Sequence, residues 1–155
     1  MIKFNVIINN KNWHQFLKKP NDYIDQKIKI LNSKEKFFFK KRIFCSLLLS
    51  NNKEIKDLNY KFRKKNKTTD VLSFPFHSKQ EFKRNLKKEK EIYLGDIIVN
   101  LSKIKNKNNI SKFKIQFDKL WIHGLVHLLG HDHKNDKDFL KMSLIEKKYM
   151  NLING

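Results

Sequence analysis

The amino-acid sequence predicts an α/β protein of one domain, in which helices pack against a sheet. Its 155 residues, of which 39% are hydrophobic, suit a single domain with one core. Segments with the alternating pattern of strands are interleaved with segments of helical spacing. Such interleaving is typical of a sheet with helices packed on it.

The first part of the chain contains two predicted strands and two predicted helices. Apolar and polar residues alternate over residues 2–8, which predicts a strand with one buried face. Residues 13–19 and 23–31 have the apolar spacing of helices. Residues 42–50, RIFCSLLLS, form a continuous apolar run that we interpret as a buried strand, although periodicity alone also allows a helix.

The middle of the chain is predicted to form a helix, a strand, a loop and a further strand. Apolar residues at helical spacing predict a helix over residues 53–63. The stretch DVLSFPF, residues 70–76, combines β-formers with a proline near its end, which suits an edge strand. Residues 77–91 are highly charged with little apolar patterning, so we expect a solvated loop, and IYLGDIIVNL, residues 92–101, predicts another strand.

Two helices are predicted in the last third of the chain. An amphipathic pattern runs from Ser111 to Leu129 and becomes apolar on nearly all sides. We therefore expect this helix to be buried in the middle of the fold. A last helix is predicted over residues 137–151.

The chain carries a large positive charge, with 35 lysines and arginines against 15 acidic residues and a net charge of +20. This charge would attract a polyanion such as RNA or DNA and make binding salt-dependent. A bias of the genome toward A and T offers a simpler reason, because the chain has no alanine and few arginines. Each arginine is then more informative than a lysine, since its planar fork can bind phosphate bidentately.

The sequence predicts a cytoplasmic protein without a membrane segment. Its first residues lack the apolar centre and cleavage site of a secretory signal. Its longest apolar run is far shorter than the roughly 20 residues that cross a bilayer. The single cysteine, Cys45, cannot form an internal disulfide and is expected to be a buried, small apolar residue.

Four of the six histidines lie in the stretch HGLVHLLGHDH. His123 and His127 are four residues apart, so on a helix their imidazoles project from the same face and can share a metal ion. The other two, His14 and His77, occur in polar segments and are expected at the surface.

A catalytic zinc site with an open position needs a third protein ligand. Gly130 can end the helix in a left-handed conformation and reverse the chain. Either His131 or His133 could then return to the site. We predict His133, because His131 follows the glycine too closely for the chain to come back.

The spacing of these histidines is similar to the HExxHxxGxxH site of metzincin proteases, which predicts a metzincin-like metal-site helix. In HExxH enzymes the glutamate beside the first histidine is the general base. Here that position is Gly124, so the peptidase base is missing. Glycine inside a helix costs about 1 kcal/mol relative to alanine, which suggests that substrate or a neighbouring strand approaches the backbone there.

The same stretch matches HGxxHLxGxDH, the signature of the YbeY family of bacterial rRNA-maturation endoribonucleases. NYKFR followed by TDVLSFP, and then LGDI, resemble two further motifs of that family in the same order, and the matches span residues 59–133. The chain is therefore identified as a member of this family. The family more often has an aromatic such as tyrosine at position 131, a second reason to leave His131 out of the ligand set.

The resemblance implies a mixed sheet of about four strands flanked by helices, with one zinc ion held by His123, His127 and His133. It implies a single-strand-specific endoribonuclease that acts in 3′-end maturation of 16S rRNA and in ribosome quality control. The implied partners are the 16S rRNA precursor, the small ribosomal subunit, its protein S11 and a GTPase assembly factor. Zinc can activate water at about neutral pH, although the RNA 2′-hydroxyl is an equally open nucleophile.

The family motif also places Arg63 near the metal, where it would hold the scissile phosphate. Without the motif, Arg63 is equally well explained as a cation at a helix C-terminus. Asp132 either orients a ligand imidazole or caps the turn. Asp70 and Ser73 are expected to shape the strand beside the cleft, and Asp96 has no predicted role.

Two alternative functions stay open at this point. A metalloprotease is suggested by the histidine spacing and opposed by Gly124. A non-catalytic ribosome-assembly factor would use zinc structurally and bind through its lysine-rich surface. An Arg63 variant that keeps its fold and its zinc would still support 16S rRNA maturation under that second alternative.

Overall fold

Four strands form one mixed sheet in the computed structural model, which describes all 155 residues. The strands are β1 (Ile2–Ile8), β2 (Arg42–Ser50), β3 (Val71–Pro75) and β4 (Glu91–Asn100), and their order in the sheet is β1-β2-β4-β3. β1, β2 and β4 are parallel, whereas β3 pairs antiparallel with β4. The predicted mixed sheet is confirmed. β3 lies at its edge, where its terminal proline, which lacks an amide hydrogen, does not interrupt the hydrogen bonds between central strands.

Five α-helices surround the sheet: α1 (Pro20–Lys34), α2 (Asn52–Arg63), α3 (Lys79–Lys88), α4 (Ile110–Leu128) and α5 (Asp136–Asn154). Four of them begin at a side chain that accepts a hydrogen bond from the first turn, and α1 begins with a proline. These bounds confirm the predicted helices over residues 23–31, 53–63, 111–129 and 137–151. None of the helices combines the length and hydrophobicity needed to cross a membrane.

The prediction of a loop over residues 77–91 is wrong, because α3 occupies most of this segment. Ser78 Oγ accepts a hydrogen bond from the Glu81 amide, and Glu81 Oε2 accepts one from the Ser78 amide. This capping box satisfies two main-chain donors at once. Phe82 then anchors the charged helix on the core. The S-x-x-E pattern was the available signal in the sequence.

The helix predicted over residues 13–19 is also largely wrong. Only a short 3-10 helix, Lys11–Gln15, forms there, and Asn10 caps it. Trp13 is fully buried and donates from Nε1 to the Ser50 carbonyl oxygen at 3.0 Å. The buried side chain of Trp13 therefore anchors this segment to the core, and the next helix begins at Pro20.

The main core lies between one face of the sheet and helices α1, α4 and α5. Alternate residues of β2 are buried on this face, which confirms the predicted buried strand and the predicted burial of Cys45. Helix α2 packs on the other face, where Ile55, Leu72 and Ile98 form a small separate cluster. The C-terminal half of α4 is consequently held against the sheet, with its histidine face turned toward β3 and α5.

Candidate metal centre

Three imidazoles meet at the C-terminal end of α4. His123 and His127 project from neighbouring turns, with ring centroids 4.6 Å apart. The His133 ring lies 5.1 Å from that of His127 and 6.1 Å from that of His123. One ring nitrogen of each histidine lies within 4.8 Å of the other two. The structure thus brings together the three predicted ligands, and His131 is not among them.

Gly130 returns the chain to the helix, as its position in the sequence predicted. Its φ of +92° lies in the left-handed region that side chains disfavour. The Gly130 amide donates to the His127 carbonyl oxygen at 2.9 Å, and the His131 amide donates to the Val126 carbonyl oxygen at 3.2 Å. This pair of bonds is the Schellman arrangement at a helix C-terminus. The reversal carries His133 back to the face that holds the other two imidazoles.

Two acceptors fix the orientation of the helical imidazoles. His123 Nδ1 donates to Glu146 Oε1 of α5 at 2.6 Å. His127 Nδ1 donates to the main-chain carbonyl oxygen of His131 at 3.0 Å. With both Nδ1 atoms engaged, each ring offers Nε2 to the centre, as metal-ligating histidines commonly do. Neither acceptor was predicted from the sequence, since Glu146 belongs to another helix and His131 acts through its backbone.

The electrostatic setting keeps the central histidine in the form that binds metals. Burial lowers the pKa of His127, and the neighbouring imidazoles of His123 and His133 lower this pKa further when they are charged. Burial, followed by the charges of Lys141 and Lys79, also lowers the pKa of His131. A neutral imidazole is the species that coordinates a metal ion. The lowered pKa therefore favours the neutral form of His127.

A cleft of about 680 Å³ opens in front of the three imidazoles. The end of α2, strand β3, the start of α3 and the turn after α4 form its walls. Arg63 is the last residue of α2 and is exposed on the wall. The lining contains every predicted site residue except Gly124, namely Arg63, Asp70, Ser73, His123, His127, Gly130, Asp132 and His133. The cleft is also lined by His77, which is half-buried, so this predicted surface residue lies in the same cleft as the three imidazoles.

Asp132 stabilises the turn and makes no hydrogen bond to an imidazole. Its Oδ1 accepts a hydrogen bond from the His133 amide at 2.8 Å. Its Oδ2 lies 3.9 Å from Lys79 Nζ and 3.8 Å from Lys134 Nζ. The bond from the His133 amide, and then the two ammonium groups, lower the pKa of Asp132 despite some burial. Of the two roles left open, the structure favours the cap.

Asp70 and Asp96 have local partners that account for them. Asp70 Oδ1 accepts hydrogen bonds from the Val71 amide at 2.8 Å and from Thr69 Oγ1 at 3.3 Å, at the point where β3 begins. Asp96 accepts a hydrogen bond from Tyr93 Oη at 2.6 Å, and it does not line the cleft. Ser73 is half-buried in β3 beside the cleft.

Gly124 faces the sheet rather than the cleft. A Cβ atom at this position would lie 2.6 Å from Cγ2 of Ile97 in β4. The close neighbour anticipated from the helical glycine is therefore a strand, not the substrate. A side chain added here would clash with the Ile97 side chain, at the position that carries the general base in HExxH peptidases.

The cluster fits a zinc ion by the chemistry of its donors. Three imidazole nitrogens that converge beside an open cleft are the donor set of a zinc site that retains a free coordination position. The carboxylate behind His123 is the kind of partner that such sites use to hold a ligand ring. The arrangement can bind a metal ion and present it to a molecule in the cleft.

The chain is similar to known proteins over nearly its whole length. Residues 7–154 match the family described as Endoribonuclease YbeY. Endoribonuclease YbeY of Pelagibacter ubique is 44% identical over 144 residues, which cover 92% of this chain and 90% of the relative. The Mycoplasmopsis pulmonis protein of the same name is 38% identical over 151 residues, 95% of either chain. A solution structure of TM1509 from Thermotoga maritima superimposes with a TM-score of 0.58 at 25% identity, covering 99% of this chain and 89% of that one.

Proposed function

Because the chain belongs to the YbeY endoribonuclease family, we propose that it binds one zinc ion and uses it to cleave single-stranded RNA. The observation that carries this proposal is the convergence of His123, His127 and His133 on a cleft that also exposes Arg63. RNA carries one negative charge per phosphate, and the net charge of +20 favours its approach.

The three imidazoles would hold the zinc ion. Glu146 and the His131 carbonyl oxygen would fix the orientation of two of these rings. When bound, zinc supplies a Lewis acid for a phosphoryl oxygen and a source of nucleophile near neutral pH. No side chain of the chain itself stands at the position of a peptidase base, because Gly124 is packed on Ile97.

Arg63 would bind the scissile phosphate. Its guanidinium is exposed in the cleft and has no carboxylate partner within salt-bridge distance. A free guanidinium can form two parallel hydrogen bonds to phosphate oxygens and offset the charge that develops in the transition state. Lys79, at the start of α3, adds a second positive charge to the same wall, partly offset by Asp132.

The cellular role that we propose is 3′-end maturation of 16S rRNA and ribosome quality control in the cytoplasm. The partners would be the small ribosomal subunit, its protein S11 and a GTPase assembly factor. These assignments rest on family membership. The end groups of the cleaved RNA would identify the nucleophile, because attack by the RNA 2′-hydroxyl leaves a cyclic phosphate and attack by water does not.

The proposal predicts that His127→Ala and Arg63→Glu each strongly reduce cleavage of a single-stranded RNA, for different reasons. His127→Ala loses zinc, whereas Arg63→Glu keeps zinc near one ion per chain and loses about 100-fold or more in kcat/KM, as removal of a transition-state contact does. Zinc content by mass spectrometry and cleavage by gel assay check this. Arg84→Glu is the matched control, because Arg84 lies on exposed α3 and outside the cleft.

Full cleavage activity in both variants would refute the enzymatic proposal. A non-catalytic assembly role would give a different pattern in cells. In that case Arg63→Glu, folded and loaded with zinc, would support 16S rRNA maturation as well as the Arg84→Glu control does.

A further inference from the structure

A second cavity, of about 480 Å³, adjoins the cleft of the metal centre. Asp70, Val71 and His123 line both cavities, so the two meet beside the His123 imidazole. The second cavity lies between the start of β3 and the facing surfaces of α4 and α5. The roles proposed above make no use of it.

The second cavity combines an apolar floor with a positively charged rim. Its apolar residues are Val71, Leu120, Ile122 and Met150. Lys119 of α4 and Lys147 of α5 are exposed at the rim and have no carboxylate partner within salt-bridge distance. A nucleoside has apolar faces and is linked to phosphates, so it complements both features.

The two carboxylates in the cavity already have partners. Glu146 accepts a hydrogen bond from His123 Nδ1, and Asp70 accepts hydrogen bonds from Thr69 and the Val71 amide. These hydrogen bonds engage one oxygen of each carboxylate. The two lysines balance the two carboxylates in number, and their ammonium groups form no salt bridge, so they can contact phosphate groups.

An endonuclease must hold its substrate on both sides of the bond that it cleaves. The cleft that contains Arg63 is lined by β3, the start of α3 and the turn after α4. The second cavity is lined by α4 and α5 and shares Asp70, Val71 and His123 with the cleft. The two cavities therefore adjoin at His123, and one substrate can reach both.

We propose that the second cavity binds a nucleotide of the substrate RNA, on the side of the scissile phosphate opposite to the Arg63 cleft. The base packs on the apolar floor, and Lys119 and Lys147 contact the adjoining phosphates. This inference rests on the proposed endoribonuclease function and adds a substrate-binding site to it.

A bulky residue in the cavity tests this assignment. Ser143 lines the cavity and is half-buried on α5, so Ser143→Trp fills it. Leu144→Trp is the matched control, since Leu144 is the next residue of the same helix, is 60% exposed and lines neither cavity. Both variants should keep zinc near one ion per chain. The substrate is an unstructured RNA with a mapped cleavage position, shortened stepwise from its 5′ or its 3′ end.

In the wild type, shortening the RNA from either end should lower kcat/KM. Ser143→Trp should lower kcat/KM for the longest RNA about tenfold, as loss of one stacked base does, and make it insensitive to shortening from one end. Leu144→Trp should behave as the wild type. The proposal is overturned if Ser143→Trp responds to shortening from both ends as the wild type does.

Charge reversal at the rim gives an independent test that leaves the cavity open. Lys119→Glu and Lys147→Glu should each raise the Kd for the single-stranded RNA and reduce the slope of log Kd against log salt by about one, as expected when a phosphate contact is lost. Lys112 is exposed near the start of α4. Lys112→Glu changes the net charge equally and should keep the wild-type slope. Equal slopes in all three variants would contradict the assignment.

The outcomes separate this inference from the proposed function. If zinc-loaded wild type cleaves RNA and the cavity variants match their controls, only the second site is wrong. If the wild type cleaves no RNA, the proposed function fails, and the binding slopes still decide whether the cavity contacts RNA. Unchanged RNA binding together with lost binding to purified small ribosomal subunits would show that the cavity receives a protein instead.

Discussion

The imidazoles of the metal centre depend on two hydrogen-bond acceptors that differ in kind. Behind His127 stands the main-chain carbonyl oxygen of His131, whose position follows from the Gly130 turn. Behind His123 stands the side chain of Glu146, which α5 supplies. The first acceptor survives almost any substitution of residue 131. The second can be removed by a single mutation, which makes Glu146 the residue through which ligand orientation can be tested.

We predict that Glu146→Gln weakens zinc binding about tenfold, the lower end of the effect expected for a partner that orients a ligand histidine. The amide keeps the size of the side chain but is a weaker, uncharged acceptor for His123 Nδ1. Competition with a chelator measures the affinity. Glu89→Gln, at an exposed position after α3, provides the control. Equal zinc affinity in the two variants would mean that Glu146 does not support the ligand.

At the scale of elements, the contact between α4 and β4 places the histidines. Gly124 lets the helix approach so closely that an added Cβ would lie 2.6 Å from Ile97 Cγ2. Ile97 is fully buried, so its side chain is packed within the core. The cost of a glycine within the helix is therefore offset by tight packing, and the depth at which α4 sits on the sheet follows from this one contact.

The contact between Gly124 and Ile97 predicts that Gly124→Ala changes the free energy of unfolding in opposite directions in the wild type and in an Ile97→Ala background. In the wild type, Gly124→Ala should lower the free energy of unfolding, because the clash outweighs the gain in helix propensity. In an Ile97→Ala background the clash is absent. Gly124→Ala should then raise the free energy of unfolding by up to about 1 kcal/mol, which is the difference in helix propensity between glycine and alanine. Urea denaturation of the four proteins measures both effects. A stabilising Gly124→Ala in the wild type would refute the packing argument.

At the scale of the whole molecule, a buried carboxylate joins the first helix to the central one. Asp118 of α4 accepts hydrogen bonds from Trp121 Nε1 at 2.9 Å and from Tyr23 Oη of α1 at 3.0 Å. Lys27 Nζ, also from α1, lies 3.3 Å from its Oδ2. Burial raises the pKa of Asp118, and the bonds and charge of these three partners only partly oppose it.

The raised pKa of Asp118 makes the stability of the protein depend on pH with a definite sign. A carboxyl whose pKa is higher in the folded state than its ordinary value of 3.8 binds its proton more tightly when folded. The contribution of Asp118 to the free energy of unfolding is therefore largest below the ordinary pKa and is lost as pH rises through the folded-state pKa. Relative to Asp118→Asn, the wild type should gain stability as pH falls from about 7 to about 4.

Urea denaturation across this pH range checks the prediction. Asp25→Asn is the control, because Asp25 is exposed on α1 and should leave the pH dependence of the wild type unchanged. If the wild type instead loses stability relative to Asp118→Asn on acidification, the charged form of Asp118 is the favoured one, and Lys27 outweighs burial.

Local features of the chain were largely predictable. The continuous apolar run of β2 and the helical spacing of α2 and α4 are properties of neighbouring residues, and the observed bounds agree closely with the predicted ones. The helix predicted over residues 13–19 is one exception. Another is α3, where only Phe82 and Leu86 pack against the core and the apolar pattern is too sparse to indicate a helix. Its capping box was a better guide than its hydrophobicity.

The features of the metal centre were likewise predictable only in part. His123, His127 and the Gly130 turn depend on helix periodicity and on the freedom of glycine at positive φ, so the sequence by itself determined that two imidazoles share a face and that His133 can return to them. Only the tertiary structure decided that Glu146 stands behind His123, that Gly124 packs on Ile97, and that His77 and Arg63 share one cleft. These pairs are distant in the chain. Their proximity depends on the order of the strands and the packing of whole helices, which no local pattern encodes.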